Sequence, residues 1–290
     1  MGVIIIQIRR PLLIILMFVV AISFIITNNT KNDEELNDKI ITIQGVVKGK
    51  IEKKRYNQYK VGVFLINDYT KNKNLKIGQK VNITGKFKSL DKMKYDDFDY
   101  GRYIKSTGYK GIVYINNYKI IDKTKLYSLI GEIKFYISKT YRYLYKKNSD
   151  FINSILLAEV ENLTEEQKEI FTRTGTSHVI SISGLHTGIL CVIISFLLRG
   201  INKLYKLLIL SIFITLYCIM VGASPSIIRS IAFVMIFYLS IFIDRKKDGI
   251  SALSLIGIIL IMNNPYVIYN VSFQLSFLAT LSILIFYNKI

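Results

Sequence analysis

Two histidines stand among hydroxyl side chains in residues 178–190, HVISISGLHTGIL, at the start of a long apolar run. On an α-helix, Ser183 and His186 are three residues apart and can touch, which is the arrangement of a nucleophile and its base. A hydrolase also needs a third group to orient the base, and a metal site needs at least three ligands. No carboxylate lies in this run. We therefore expect no catalytic, metal or cofactor site, and an intramembrane hydrolase remains an alternative.

The same stretch also has the pattern of a helix-packing surface. Ser181, Gly184 and Gly188 fall on one helical face, and such small residues let a second helix approach closely. Polar groups are costly in lipid, so we expect those in the apolar runs to face a protein core or a water-filled pathway. These candidate core or pathway residues are His178, Ser183, His186, Arg229 and Gln274.

The positive charge is concentrated in one part of the chain. The 290 residues combine a net charge of +19 with a mean hydropathy of +0.35. Between residues 31 and 150 lie 27 of the 39 Lys and Arg residues but only 13 of the 20 acids. This asymmetry predicts a basic soluble module joined to a membrane body, and a basic surface attracts nucleic acid or anionic lipid. Lysine enrichment of the whole genome is an alternative explanation of the charge.

Six apolar runs indicate an α-helical polytopic membrane protein. The first, residues 11–27, follows Arg9 and Arg10, has no small-residue cleavage site after it and is predicted to be an uncleaved anchor. The others lie near 178–198, 204–222, 225–243, 249–262 and 266–287. Basic loops alternate with uncharged ones, which predicts six spans in the cell membrane, a cytoplasmic N-terminus and residues 31–175 outside the cytoplasm. The run at 249–262 is short for a span.

Strand-like segments fill residues 38–122. They are rich in Ile, Val and Tyr and are separated by Gly, Asn and Lys, which predicts four or five short strands. This number suits a small closed β-barrel, with the OB-fold as the best candidate. A short helix containing Tyr100 and Tyr103 is expected to pack across one end of the barrel. The candidate DNA contacts on this module are Lys53, Lys54, Arg55, Lys86 and Lys88, with exposed Tyr and Phe available to stack on bases.

Helices are predicted between the barrel and the later apolar runs. Residues 125–147 have apolar and aromatic side chains at helical spacing with lysines opposite, as in a helix at the membrane surface or a helix packed on a domain. Residues 164–167 form a capping box, and Gly175 suits a helix end. The predicted divisions are an anchor at 1–30, the barrel at 38–122, interfacial helices at 125–175 and a helical core at 176–290.

Four segments of the chain are notable: FDYGRYIKSTGYKG, FTRTGTSHVISISGLHTGIL, GASPSIIRS and DGISALSLIGIILIMNNPYVIYNVSFQLSFLAT. Together they resemble the ComEC-type competence family of DNA uptake channels. The resemblance implies an outward OB-fold and a helical core that conducts one DNA strand inward. Full-length members continue with more helices and a metallo-β-lactamase-like domain. This chain stops at Ile290 without an H-x-H-x-D-H motif, so we expect a fragment, a truncated paralogue or a split-gene product, and no enzyme.

The resemblance also implies partners. These are DNA, membrane lipid and other competence proteins, including an ATP-driven motor or a nuclease, because the sequence has no Walker motif to supply energy. A homo-oligomer is left open. The alternative function is a membrane-anchored OB-fold interaction module in which the helices serve only as a scaffold.

Overall fold

A computed structural model describes residues 10–30, 34–53, 55–71, 74–95, 98–176, 184–222 and 248–286, with the pairs 227–228, 231–232 and 235–236. Its strands are β1 Ile40–Glu52, β2 Asn57–Val61, β3 Phe64–Asp68, β4 Gln79–Lys88, β5 Lys94–Tyr95, β6 Phe98–Asp99 and β7 Gly111–Lys123. Its longer helices are α1 Pro11–Asn29, α2 Tyr100–Ser106, α3 Lys125–Tyr145, α4 Ser149–Leu157, α5 Glu165–Arg173, α6 Gly184–Leu197, α7 Lys203–Val221, α8 Gly249–Asn263 and α9 Val271–Phe286.

Five strands close into a barrel in the order β1-β2-β3-β7-β4. The β3–β7 pair is parallel, and the pairs β1–β2, β2–β3, β1–β4 and β4–β7 are antiparallel. Alternate residues point inward, so β4 buries Val81, Ile83 and Phe87 while Lys80 and Asn82 face out. The predicted closed barrel is confirmed, and five strands are the number found in an OB-fold.

Helix α2 packs on the outer face of the barrel, not across its end as we expected. Leu65 and Ile112 are neighbours in the parallel β3–β7 pair, and both point away from the barrel core. They form an apolar patch, and Ile104 of α2 packs against it together with Leu90. Gly101 makes this approach possible, because a side chain there would collide with the backbone carbonyl of Leu90.

Helix α1 buries polar side chains and exposes apolar ones, which is the reverse of the pattern in a water-soluble protein. Its buried residues are Ser23 and Thr27, whereas Met17 and Phe18 are 62% and 66% exposed. Apolar side chains outside and small polar ones at helix contacts are typical of a helix in lipid. By length and composition, α1 and α7 are apolar enough to cross a membrane, and α8 and α9 are shorter apolar helices. The six predicted spans stay a prediction.

Helices α1 and α8 lie side by side and run in the same direction. At their starts, Arg10 Nη2 lies 3.5 Å from Asp248 Oδ1. Near the end of α1, Ser23 Oγ donates to Pro265 O at 2.7 Å, just after α8 ends. Gly257 lies where these helices are in close contact, because a Cβ there would come within 2.9 Å of a Leu16 methyl group. Small residues allow such close packing, and this glycine was absent from the sequence prediction.

Helix α3 begins directly after β7 and packs against α4 and α7. Thr124 N donates to Gly78 O at 2.7 Å, and Gly78 has φ +90°, a conformation that favours glycine. The predicted capping box is confirmed at Thr164 and Gln167, and Gly175 follows the end of α5 with φ +70°. Large apolar side chains of α3 remain exposed, including Phe135 at 68%. Both interpretations of α3 therefore stay open.

Candidate nucleic-acid interface

The loop between β1 and β2, residues 53–56, carries the predicted basic cluster. Lys53 Nζ donates to Tyr56 Oη at 3.0 Å and lies 5.1 Å from the centroid of the Tyr56 ring. Burial lowers the pKa of Lys53, but the hydrogen bond to Tyr56 and charge interactions with Tyr56, Tyr100 and Glu161 together raise it above its usual value. Lys53 therefore stays cationic. Arg55 is exposed, and Lys54 lies outside the described residues.

Three tyrosines form a row that begins at this loop. The ring centroids of Tyr56 and Tyr69 are 4.8 Å apart, and those of Tyr69 and Tyr114 are 5.8 Å apart. Tyr69 is 56% exposed although it has a ring on each side. The rings therefore pack on one another, which helps to fix the loop. Stacking of these rings on bases, which the sequence suggests, stays a prediction.

Lys86 and Lys88 of β4 share a carboxylate. Lys86 Nζ lies 3.0 Å and Lys88 Nζ 3.8 Å from the Asp38 carboxylate. Lys86 lies directly opposite Tyr114 in the β4–β7 register, so both side chains occupy the outer face. A continuous surface, here called the basic–tyrosine strip, therefore crosses the outside of the barrel: Lys53, Arg55, Tyr56, Tyr69, Tyr114 and Lys86.

The outer face of β2 and β3, where OB-folds often bind oligonucleotides, is largely covered in this barrel. Leu65 lies under α2. Burial lowers the pKa of Lys60 and of Lys134 on α3, and the charge of Glu161 raises both in part. A ligand therefore reaches the loop and the strip more readily than the strand surface.

An open pocket of about 340 Å³ lies beside the loop. Its lining residues are Lys50, Glu52, Asn57, Lys71 and Asn74. Lys50 Nζ is 2.6 Å from Glu52 Oε1 and 3.4 Å from Asn74 Oδ1, so its charge is already paired. We expect this pocket to contribute less to anion binding than Lys53 and Arg55.

The predicted polar residues of the helices are only partly placed. His178, Ser181, Ser183 and Arg229 lie outside the described residues. His186 is half-buried near the start of α6. Gln274 is exposed on α9, and its Nε2 donates to Ile268 O at 2.7 Å, in the turn before that helix.

The structure bears on the predicted packing glycines and on whether the described residues could bind a metal ion. A Cβ placed on Gly188 meets no atom within 4 Å in the described structure, whereas one on Gly257 meets two neighbouring helices. Gly184 opens α6, and its packing role stays a prediction. No group of three His, Cys, Asp or Glu side chains within the described ranges could hold a metal ion.

Sequence reasoning missed Asp38 and the tyrosine row. Asp38 lies in a turn with φ 65°, with no periodic pattern to mark it. Tyr69 follows β3 and Tyr114 lies inside β7, so 45 residues separate two rings that pack together. The run KKRY at 53–56 was the one local signal, because it places an aromatic residue next to three cations.

Comparison with known proteins addresses the helical half of the chain. Residues 155–290 match the family model described as Competence protein. ComE operon protein 3 of Bacillus subtilis (strain 168) is 26% identical over 161 residues, which cover 55% of this chain and 21% of that protein. Residues 155–290 are thus similar to the competence family. The resemblance identified from the four segments is confirmed.

A second relative and one solved structure are also similar to parts of the chain. An uncharacterized protein of Aquifex aeolicus (strain VF5) is 30% identical over 125 residues, which cover 43% of this chain and 30% of that protein. The matches thus span less than a third of either relative's length. Aspartyl tRNA synthetase from Entamoeba histolytica aligns with 59% of this chain and 37% of its own, at 11% identity and a TM-score of 0.23, too low to bear on the fold.

Proposed function

We propose that this chain is an integral membrane component of DNA uptake, in which the barrel binds DNA outside the cell membrane and the helices help to conduct a single strand inward. The observation that carries the proposal is the competence-family match over residues 155–290. The basic–tyrosine strip adds a surface suited to a polyanion, and contacts with Tyr56 and Asp38 hold Lys53 and Lys86 in place before a ligand arrives.

The sidedness of the molecule supports this arrangement. Helices α1 and α8 run in parallel, so the barrel, the end of α1 and the turn after α8 lie together at one end. Arg10 and Asp248 lie at the other end. The starts of α1 and α8 therefore fall on the same side, and Arg10 at that side agrees with a cytoplasmic location for it.

The proposed chemistry is phosphate contact without sequence reading. Lys53 and Arg55 present cations on a loop that the tyrosine row fixes, and Lys86 extends the positive surface across the barrel. Each phosphate neutralised by a cation releases counterions, so affinity falls steeply as salt rises. Phosphates cannot cross hydrocarbon, so polar residues of the helices, such as His186, would border a hydrated path. Energy would come from another competence protein.

DNA binding by the full chain in lipid nanodiscs tests the proposal. Fluorescence anisotropy of a labelled oligonucleotide, measured across a salt series, should show a salt-dependent affinity. The variant Lys53→Gln/Arg55→Gln should lower the slope of log affinity against log salt by about 2, close to one unit per cation. A wild-type chain without salt-dependent affinity for DNA would overturn the proposal.

A matched variant separates this loop from overall charge. Lys119 and Lys123 are exposed residues toward the far end of β7, and Lys119→Gln/Lys123→Gln removes the same charge. We expect this control to change the affinity much less than the loop variant. Equal losses would show that binding follows net charge and not the strip.

A further inference from the structure

The turn between α8 and α9 is bounded by two asparagines that use one side-chain atom in the same way. Asn264 Oδ1 accepts from Tyr266 N at 3.1 Å, and Asn270 Oδ1 accepts from Phe273 N at 3.1 Å. Each asparagine therefore caps the helical segment that follows it. The amide nitrogens are left to bind something else.

Both amide nitrogens bind α2 of the barrel. Asn264 Nδ2 donates to Lys105 O at 2.8 Å, and Asn270 Nδ2 donates to Ser106 Oγ at 3.2 Å. Lys105 O also accepts from Gly108 N at 2.9 Å, so Asn264 adds a second donor to a carbonyl at the end of α2. Asn270 and Ser106 are 4% and 1% exposed, so their hydrogen bond is shielded from water.

Two cations of α2 lie over tyrosines of the same turn. Lys105 Nζ is 5.1 Å from the centroid of the Tyr266 ring, and the Arg102 guanidinium carbon is 4.9 Å from that of Tyr269. Arg102 Nη2 also donates to Asn28 Oδ1 at 3.2 Å, at the end of α1. Cation–π contacts of this kind strengthen as water is excluded. One turn of helix therefore contacts both α1 and the α8–α9 turn.

These contacts define an element that we call the latch: Arg102, Lys105 and Ser106 of α2 with Asn264, Tyr266, Tyr269 and Asn270 of the turn. It joins FDYGRYIKSTG and NNPYVIYN, which lie within two of the four segments that carry the family resemblance. A buried amide without a partner is costly, so the closed arrangement is favoured over a slightly displaced one. The barrel is thus seated in one orientation.

We propose that the latch is a coupling joint between the barrel and the membrane helices. It holds the barrel on the outer ends of α1 and α9, so that DNA on the basic–tyrosine strip is delivered to the helices. Opening the latch leaves DNA binding intact and stops DNA transport. This inference rests on the proposed function, and it assigns α2 a role separate from DNA binding.

The variant Asn264→Asp/Asn270→Asp tests the latch without removing the helix caps. Aspartate keeps the acceptor oxygen for Tyr266 N and Phe273 N, but it replaces each amide donor with an anion facing an oxygen of α2. We expect hydrogen exchange of the α2 amides, measured on the full chain in nanodiscs, to rise about tenfold. Uptake of labelled DNA, in cells that carry only the variant, should fall at least about tenfold, while DNA affinity stays within about twofold.

The control is Asn263→Asp, which makes the same chemical change at the exposed neighbouring residue. It should leave exchange, uptake and affinity unchanged. Unchanged hydrogen exchange of the α2 amides in the double variant would show that the latch does not hold the barrel in place. Unchanged DNA uptake would show that the latch does not couple the barrel to transport. Loss of DNA affinity in the double variant would also contradict the proposal. A wild-type chain that does not bind DNA would instead overturn the proposed function, and the exchange result would still decide the seating.

A second pair of variants covers the case in which the double variant fails to fold. Tyr269→Phe keeps the ring beneath Arg102 and loses the 3.0 Å contact between the Tyr269 and Thr27 hydroxyls. Tyr269→Leu keeps an apolar side chain but loses the ring. We expect Tyr269→Leu to lower uptake more than Tyr269→Phe, with equal DNA affinity. Equal uptake by the two would contradict a role for the cation–π contact in coupling.

Discussion

The barrel and helix α1 bury opposite kinds of side chain. In the barrel, Phe87 is 2% exposed at the core and lysines face outward, as in a domain surrounded by water. In α1, Phe18 is 66% exposed and Ser23 is 2% exposed. Each region is therefore built for a different solvent. The latch lies where the two meet, and its contacts are hydrogen bonds and cation–π pairs, which suit the aqueous edge of a membrane.

The largest expected effect comes from exchanging phenylalanine for alanine in each region. Phe87→Ala leaves a cavity in the barrel core and should cost about 3–5 kcal/mol of barrel stability. Phe18→Ala removes an outward-facing side chain and should leave the barrel unchanged. The measurement is thermal unfolding of the solubilised full chain, followed by the near-ultraviolet circular dichroism of its tyrosines. Equal losses of barrel stability in the two variants would contradict the conclusion that the barrel and α1 are built for different solvents.

A glycine pair tests how the helices pack. Gly257→Val places a side chain against Leu16 and Phe277 and should destabilise the helix contacts by about 1–3 kcal/mol. Gly188→Val meets no described atom and should cost less. Loss of helical circular dichroism during titration with sodium dodecyl sulfate reports both. If Gly188→Val were the more damaging change, the sequence-based packing surface would be the better description.

A smaller effect is expected at the carboxylate that pairs with Lys86 and Lys88. Asp38→Asn frees both ammonium groups, and asparagine tolerates the positive φ of this position, so DNA affinity should rise about threefold at low salt. Asp122→Asn removes the same charge from an exposed site near the end of β7 and is the control. Anisotropy titrations compare the two. An equal gain from both would mean that overall charge, and not the strip, sets the affinity.

The smallest expected effect is a dependence of barrel stability on alkaline pH. Burial lowers the pKa of Lys60 and Lys134 below 10.5, so just below that pH the unfolded chain binds more protons and stability rises with pH. Burial raises the pKa of Tyr59, and that of Tyr109 to about 12, so above pH 10.0 the folded chain binds more protons and stability falls. Urea midpoints across this range should therefore pass through a maximum.

Methionine variants assign the rising part of that profile. Lys60→Met/Lys134→Met should flatten the increase below the maximum and leave the decrease above it. A decrease that disappears in this variant would show that the tyrosines are not its cause.

Much of the barrel was predictable because its strands carry their own pattern. Residues 79–85 alternate inward and outward side chains, and the structure places them in β4 as expected. The capping box at Thr164 and Gln167 is likewise a local signal and is confirmed. Such features depend on neighbours in the chain, so one sequence suffices to find them.

The position of α2 and the latch could not be predicted in the same way. Asn270 and Ser106 are 164 residues apart, and a hydrogen bond between them leaves no periodic trace. Leu65 and Ile112 form their patch only through the parallel β3–β7 pair, which no local pattern specifies. The family resemblance marked these segments as noteworthy without saying that they touch. Contacts between residues far apart in the chain therefore determine both the position of α2 and the latch.

The parallel β3–β7 pair has a consequence for biogenesis. Phe64 is registered with Gly111, so the ring of strands stays open until nearly the whole module has been synthesised. Loop closure over such a distance makes folding slow relative to hairpin formation. The extracytoplasmic location proposed above requires the barrel segment to cross the membrane. We therefore expect it to cross as an extended chain and to fold only when β7 has followed β3 and can pair with it.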